Sequence, residues 1–251
     1  MMKNFILSIL FAAIAFSLSA QTAVEQANTA YSTKDYQKAV QLYTQILQEN
    51  GASPNVYYNL GNAYYRLNQI APAILNYERA LLLHPADKDA RVNLEIAKLK
   101  TVDKIEESNF FLTDWYNDVQ NLFSTNQWSA VGIICFILLV ACLFLFVFSR
   151  KIALKKTGFC AGLAFFVFCL AANIFACQQK MKLTNRNAAI ISAATTTIKS
   201  APDASGTDLF ILHEGTKVNV TEQLGDGTKW KKIETADGNI GWISSSEIAI
   251  I

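Results

Sequence analysis

Few side chains in this sequence have the chemistry for acid–base catalysis, nucleophilic attack or metal binding. The sequence contains two histidines, the residue type most often used for proton transfer near neutral pH. His84 precedes Pro85, at the predicted end of a helix, and His213 precedes a glycine turn. No spacing is typical of a metal site, a phosphate-binding loop or a nucleophile elbow. The sequence therefore predicts a protein that is not an enzyme and that holds no metal or cofactor.

The composition predicts that part of the chain lies in lipid. Hydrophobic residues make up 52% of the 251 residues and charged residues 17%, which is more apolar than a typical soluble domain. The net charge of +2 gives no strong field to attract nucleic acid. Two charge-free runs, 128–148 and 157–177, are each long enough for a transmembrane helix. All five cysteines lie in these runs, so no disulfide framework is predicted in the soluble parts.

Two signals predict the orientation in the membrane. Residues 1–20 have a basic start, a short apolar core and small residues before Gln21, which is typical of a secretory signal peptide. An uncleaved anchor is the alternative, and it leaves the next domain on the same side. Segment 149–156 carries four basic residues, and the positive-inside rule keeps such a loop cytoplasmic. We therefore expect a multi-pass inner-membrane protein with its N-terminal and C-terminal domains in the periplasm.

The region 21–107 repeats itself with a period of 34 residues. The equivalent pairs are Asn28 and Asn62, Tyr31 and Tyr65, Ala39 and Ala73, Tyr43 and Tyr77, and Leu47 and Leu81. This period with helical spacing resembles the tetratricopeptide repeat. Residues from Lys88 to about Glu107 are helical in composition and predict a capping helix. The resemblance implies an all-α repeat domain.

The same resemblance implies a concave surface that binds a peptide or helix of a partner. In the family register this surface is lined by Asn28, Tyr31, Tyr58, Asn59, Asn62, Tyr65, Arg66, Asp89 and Asn93. Amide side chains pair with a bound backbone, and Tyr and Arg are frequent interface anchors. A solvated helix face without a ligand is the alternative.

A juxtamembrane segment, 108–127, precedes the first apolar run. Phe111, Trp115, Val119 and Leu122 recur at helical spacing, so the segment is amphipathic. It suits the membrane interface or, alternatively, a position packed on the repeat domain.

Residues 184–251 change to short alternating strands and turns, as in a small barrel. The motifs at 214–218, 230–233 and 241–243 resemble bacterial SH3-like domains. The resemblance implies an all-β barrel in which Trp230 and Trp242 bind the cell wall or a peptide. The alternative is that both tryptophans pack the barrel.

The order of the parts resembles the BatE proteins of the bacterial aerotolerance operon. The predicted fold class is a multidomain membrane protein with an all-α tetratricopeptide domain, two transmembrane helices and a C-terminal all-β SH3-like barrel. The resemblance implies a non-enzymatic membrane-anchored scaffold for Bat-operon membrane proteins, some carrying von Willebrand A domains, in an envelope complex linked to aerotolerance or stress. A peptidoglycan-binding tether or envelope sensor, acting through the SH3-like domain, is the alternative.

Overall fold

A computed structural model of the protein describes residues 22–104, 111–223 and 229–251. The predicted signal peptide lies outside these residues. The described chain forms two compact units. The first unit combines the N-terminal helices with the C-terminal strands, and the second contains the helices of residues 111–186.

Five helices of the first unit follow the predicted repeat. They are α1 (22–32), α2 (Tyr36–Asn50), α3 (Pro54–Arg66), α4 (Ile70–Leu83) and α5 (Lys88–Lys98). The carboxylates of Asp35 and Asp87 cap α2 and α5 by accepting hydrogen bonds from the backbone N–H three residues later. Pro54 occupies the first position of α3, where its missing N–H costs no helical hydrogen bond.

Gly61 allows α3 and α4 to approach closely. A Cβ atom at this position would lie 2.7 Å from Cε1 of Tyr77, whose ring is 1% exposed. The contact explains why a residue without a side chain stands in the middle of a helix, where glycine is otherwise unfavourable.

The capping helix is shorter than predicted, because α5 ends at Lys98 and not near residue 107. Two side chains that follow it bind its last carbonyl groups. Thr101 Oγ1 donates to the Lys98 carbonyl at 2.8 Å, and Lys104 Nζ donates to the Leu99 carbonyl at 2.8 Å. These bonds satisfy carbonyl groups that a helix end leaves without partners.

Seven strands complete the first unit: β1 (Ala188–Ile191), β2 (Thr195–Lys199), β3 (Asp208–His213), β4 (Lys217–Gln223), β5 (Trp230–Thr235), β6 (Ile240–Ser244) and β7 (Ile248–Ile250). All pair antiparallel, in the order β3-β2-β6-β5-β4-β1-β7. Alternate residues of each strand face a buried aliphatic core, whose members include Ile198, Val218, Ile233 and Ile243.

The second unit contains α6 (Phe111–Gln120), α7 (Thr125–Phe148) and α8 (Ile152–Asn185). Helices α7 and α8 pack on each other, and both are long and apolar enough to cross a membrane. Most of their apolar side chains are exposed, unlike those of a core helix in a soluble protein.

The connection between α7 and α8 differs from the prediction. Helix α8 begins at Ile152, so only residues 149–151 of the predicted loop 149–156 lie between the helices. It also continues past residue 177 to Asn185. Lys, Gln and Met are good helix formers, so the helix continues where the apolar run ends.

Candidate functional site

Two predicted groove residues, Asn28 of the first repeat and Asn59 of the second, are joined by a hydrogen bond. The hydroxyl of Tyr43 donates to Oδ1 of Asn28 at 2.6 Å, and Nδ2 of Asn59 donates to the same oxygen at 3.3 Å. Burial raises the pKa of Tyr43 to about 12, so the hydroxyl remains a donor at neutral pH. Asn28 thus connects α1 with α2 and α3.

The second repeat has the same network, displaced by 34 residues. The hydroxyl of Tyr77 donates to Oδ1 of Asn62 at 2.7 Å, and Nδ2 of Asn93 donates to that oxygen at 2.8 Å. Asn93 also lies 3.2 Å from the hydroxyl of Tyr58. Burial raises the pKa of Tyr77 as well. Asn62 therefore has a structural role that was not predicted from the sequence.

The remaining predicted groove residues lie outside these two networks. Arg66 is exposed, and a hydrogen bond with Tyr31 is the main cause that raises the pKa of its guanidinium. The ammonium group of Lys100 lies 4.1 Å from the centre of the Tyr65 ring, which is a cation–π distance. Asp89 is exposed in the first turn of α5. The structure thus brings Tyr31 and Arg66 together, and their role in partner binding stays a prediction.

The two tryptophans of the β-domain lie on adjacent strands. In the register of β5 and β6, Trp242 is opposite Lys232 and Ile243 is opposite Lys231. Ile243 is fully buried in the core, so alternation directs Trp242 to the other face of the sheet. Trp230 shares that face and, like Trp242, is half-buried. Their use in ligand binding stays a prediction.

The repeat helices and the β-domain form an interface that was not predicted from the sequence. Asp103, which follows α5, accepts three hydrogen bonds from the turn between β3 and β4. The donors are the backbone N–H of His213 at 2.7 Å, the hydroxyl of Thr216 at 2.7 Å and the ring Nδ1 of His213 at 2.8 Å. Gly215 in this turn has a φ of +86° and a Cβ there would lie 2.7 Å from Cγ2 of Thr101. Glycine is required by both the backbone conformation and the close approach.

Two further polar contacts hold the interface near α4. Lys217 Nζ lies 2.8 Å from Oε2 of Glu78. Glu78 as a whole residue is 9% exposed. Arg79 Nη2 donates to the Ile250 carbonyl at 2.6 Å. The Lys217 side chain is 37% exposed and that of Glu78 10%, so the buried member of the pair is the carboxylate, and removing the lysine would be costly because it would take a positive charge away from a buried negative one.

Strand β1 supplies the apolar part of the interface. Ile190 belongs to a cluster with Ile74 and Tyr77 of α4, whereas Ala189 and Ile191 belong to the core of the sheet. A strand that is buried on both faces has a continuous apolar sequence. The run Ala188–Ile191, which does not alternate with polar residues, is therefore the one sequence signal that could have revealed the interface.

A groove of about 540 Å³ lies beside this interface. Its lining comes from α2, α3, α4, β1 and β7 and is mostly apolar. Among the described residues, no group of three or more His, Cys, Asp or Glu side chains is arranged to hold a metal ion.

Comparisons with known proteins support both domains. The tetratricopeptide repeat model matches residues 54–87, which contain α3 and α4, and the bacterial SH3 domain model matches residues 194–249. Together with the architecture, these matches confirm the predicted fold class. Both are families of binding domains that typically lack catalytic activity.

Two solved structures are similar to part of the chain. A point mutant of MamA shares 23% identity with a TM-score of 0.31, over 33% of this chain and 60% of that one. The Sgt2 TPR domain from Aspergillus fumigatus shares 30% identity with a TM-score of 0.31, over 32% of this chain and 54% of that one. The chain therefore spans less than two thirds of either protein.

Proposed function

We propose that the protein is a non-enzymatic, membrane-anchored scaffold that binds partner proteins through the concave face of its repeat helices. The observation that carries this proposal is the repeated hydrogen-bond network of Asn28 and Asn62, which aligns α1, α3 and α5 along one face. The hydrogen bond between Tyr31 and Arg66 supports the proposal, because Tyr and Arg are frequent interface anchors.

The partners are segments of neighbouring membrane proteins. The resemblance to BatE proteins supports Bat-operon proteins with von Willebrand A domains as partners, in an envelope complex linked to aerotolerance or stress. A protein of this kind needs no catalytic group of its own, because it acts by holding partners close together.

We further propose that α7 and α8 span the bacterial inner membrane and that both other domains lie in the periplasm. The four basic residues of segment 149–156 support a cytoplasmic turn. The bonds from His213 to Asp103 give independent support, because two domains that touch must lie on the same side of the membrane.

Partner capture in intact membranes tests the scaffold function. The variant Tyr65→Ala/Arg66→Glu removes two groove side chains and spares Asn62, whose loss would disturb the Tyr77 hydrogen bond. We expect chemical crosslinking to recover fewer partners with this variant than with the wild type. A matched control, Gln37→Ala/Lys38→Glu, changes exposed residues of α2 and should leave recovery unchanged. Equal recovery of partners with the wild type and both variants would refute the proposal that this groove binds them.

Binding of peptidoglycan by the β-domain is the second candidate function. The bacterial SH3 match and the position of Trp242 opposite Lys232, on the face away from the core, favour it. The test is pelleting of the full chain in detergent with purified cell wall, because an isolated β-domain would expose Ile190. We expect Trp242→Ala to pellet less than the wild type, and no pelleting of the wild type above a control without cell wall would exclude this function.

A further inference from the structure

Helix α6 is bound to the end of α8 by a network of polar side chains. The hydroxyl of Tyr116 donates to Oε1 of Gln178 at 2.5 Å, and Nε2 of Gln120 donates to the same oxygen at 2.8 Å. Lys182 Nζ donates to Oε1 of Gln120 at 2.9 Å, and Gln179 Nε2 donates to the Gln120 carbonyl at 3.1 Å. Gln120 is 2% exposed, so α6 has one fixed orientation on α8.

This network fixes α6 at the level where both apolar runs end. Gln178 is the first residue after the run 157–177. The indole Nε1 of Trp128, which opens the run of α7, donates to the Gln120 carbonyl at 2.9 Å. The Trp128 ring lies 4.8 Å from the ring of Phe175 and 5.0 Å from that of Phe123. Aromatic side chains grouped at one level are typical of a membrane interface.

The surface of α6 divides into three sectors around the helix axis. Successive residues of a helix are turned by about 100°, so Tyr116 and Gln120 share the sector that faces α8. Phe111, Leu112 and Trp115 share a second sector and are 68%, 52% and 64% exposed. The third sector carries Asp114 and Asp118, which are exposed as well. A helix with adjoining apolar and acidic exposed sectors is suited to lie flat between lipid and water.

We propose that Phe111, Leu112 and Trp115 form a lipid-contacting face that inserts α6 into the outer boundary between headgroups and acyl chains. Apolar side chains of α7 and α8 about one turn from this level, such as Ile133 and Ile174, are exposed as well. Helix α6 contains no Lys or Arg, so hydrophobic burial attaches it and attraction to anionic lipids does not. Through Gln120 and Gln178, the inserted helix would hold the start of α7 and the end of α8 in a fixed relation.

Tryptophan fluorescence of the full chain in lipid vesicles tests this face. The inference rests on the proposed membrane anchoring, so flotation with the vesicles is measured first. The fluorescence of Trp115 is obtained by subtracting the fluorescence of Trp115→Phe from that of the wild type. We expect lipids brominated high in the acyl chain to quench this difference signal more than lipids brominated near the terminal methyl group. The result should be the same in phosphatidylcholine vesicles with and without phosphatidylglycerol.

A matched control moves the indole to the acidic sector. In the double variant Trp115→Phe/Asp114→Trp, the new indole should be quenched by aqueous iodide and not by brominated lipid. If Trp115 itself is quenched by iodide and not by brominated lipid, the face is in water and the proposal is wrong. Quenching by neither agent would mean that protein covers the face, which also overturns it. Protein that fails to float with the vesicles would refute the anchoring itself.

Discussion

His213 donates two hydrogen bonds to Asp103, one from its backbone N–H and one from its ring, across 110 residues of sequence. The side chain of Asp103 is 14% exposed, and Thr216 adds a third bond to it. Hydrogen bonds to an ionised, partly buried carboxylate are stronger than those between neutral groups. The contact therefore joins the repeat helices and the β-domain into one unit.

Replacing Asp103 should loosen this interface. In Asp103→Asn, one carboxylate oxygen becomes an NH₂ group and the negative charge that strengthens these hydrogen bonds is lost, so we expect a local loss of about 1–3 kcal/mol. Hydrogen exchange of the His213 amide in detergent measures it, because that amide is released when the interface opens. Glu95→Gln is the control: it removes an exposed ion pair with Lys98, which is worth about 0–1 kcal/mol. Equal acceleration of exchange in both variants would argue against the interface.

The contribution of Asp103 should depend on pH. Burial acts to raise the pKa of this carboxyl group, but hydrogen bonds from Thr216 and from the backbone and ring of His213 lower it overall. A carboxyl group with a lowered folded-state pKa adds stability that is complete above its unfolded value, about 3.9. That stability is lost as the pH falls through the folded-state pKa. The difference in exchange between wild type and Asp103→Asn should therefore be largest at neutral pH and shrink in acid. A difference that grew on acidification would contradict the assignment.

Packing between α3 and α4 gives a prediction for Gly61. Alanine would favour the helix by about 0.5–1 kcal/mol, but its Cβ would lie 2.7 Å from the buried Tyr77 ring. Overpacking of this kind typically costs about 1–3 kcal/mol, so Gly61→Ala should lower the free energy of unfolding in denaturant titration. In a Tyr77→Leu background the cost should be smaller, because the ring is gone. A double-mutant cycle without coupling would show that the contact is unimportant.

The period of 34 predicted the helix pairs correctly because each repeat carries its own packing residues, such as Ala39 and Ala73. It also identified Asn28 and Asn62 as functional candidates. They were predicted to contact a partner, whereas in the structure they accept hydrogen bonds from Tyr43 and Tyr77. The interdomain contacts could not be predicted in this way. Asp103 and His213 show no periodicity, and only the tertiary fold brings such distant residues together.

A disulfide between the domains tests their contact and their location together. A Cβ at Gly215 would lie 3.8 Å from that of Thr101, which matches the usual Cβ separation in disulfides. We expect Thr101→Cys/Gly215→Cys, with the five native cysteines replaced by alanine, to crosslink in cells without added oxidant, because disulfides form in the periplasm. The extent of crosslinking is measured by labelling free thiols with a maleimide-polymer after denaturation. Crosslinked chains have no free thiol and stay unlabelled.

Gly238 offers a matched control for this crosslink. Its φ of +84° is close to that of Gly215, but a Cβ there has no neighbour within 4 Å. Thr101→Cys/Gly238→Cys thus carries the same backbone strain without the proximity, and it should keep two free thiols. If Thr101→Cys/Gly215→Cys crosslinks only after cells are lysed and an oxidant is added, the interface is supported but the periplasmic location is refuted. Equal labelling of both pairs under all conditions would refute the interface, because the contact between Thr101 and Gly215 would then be absent.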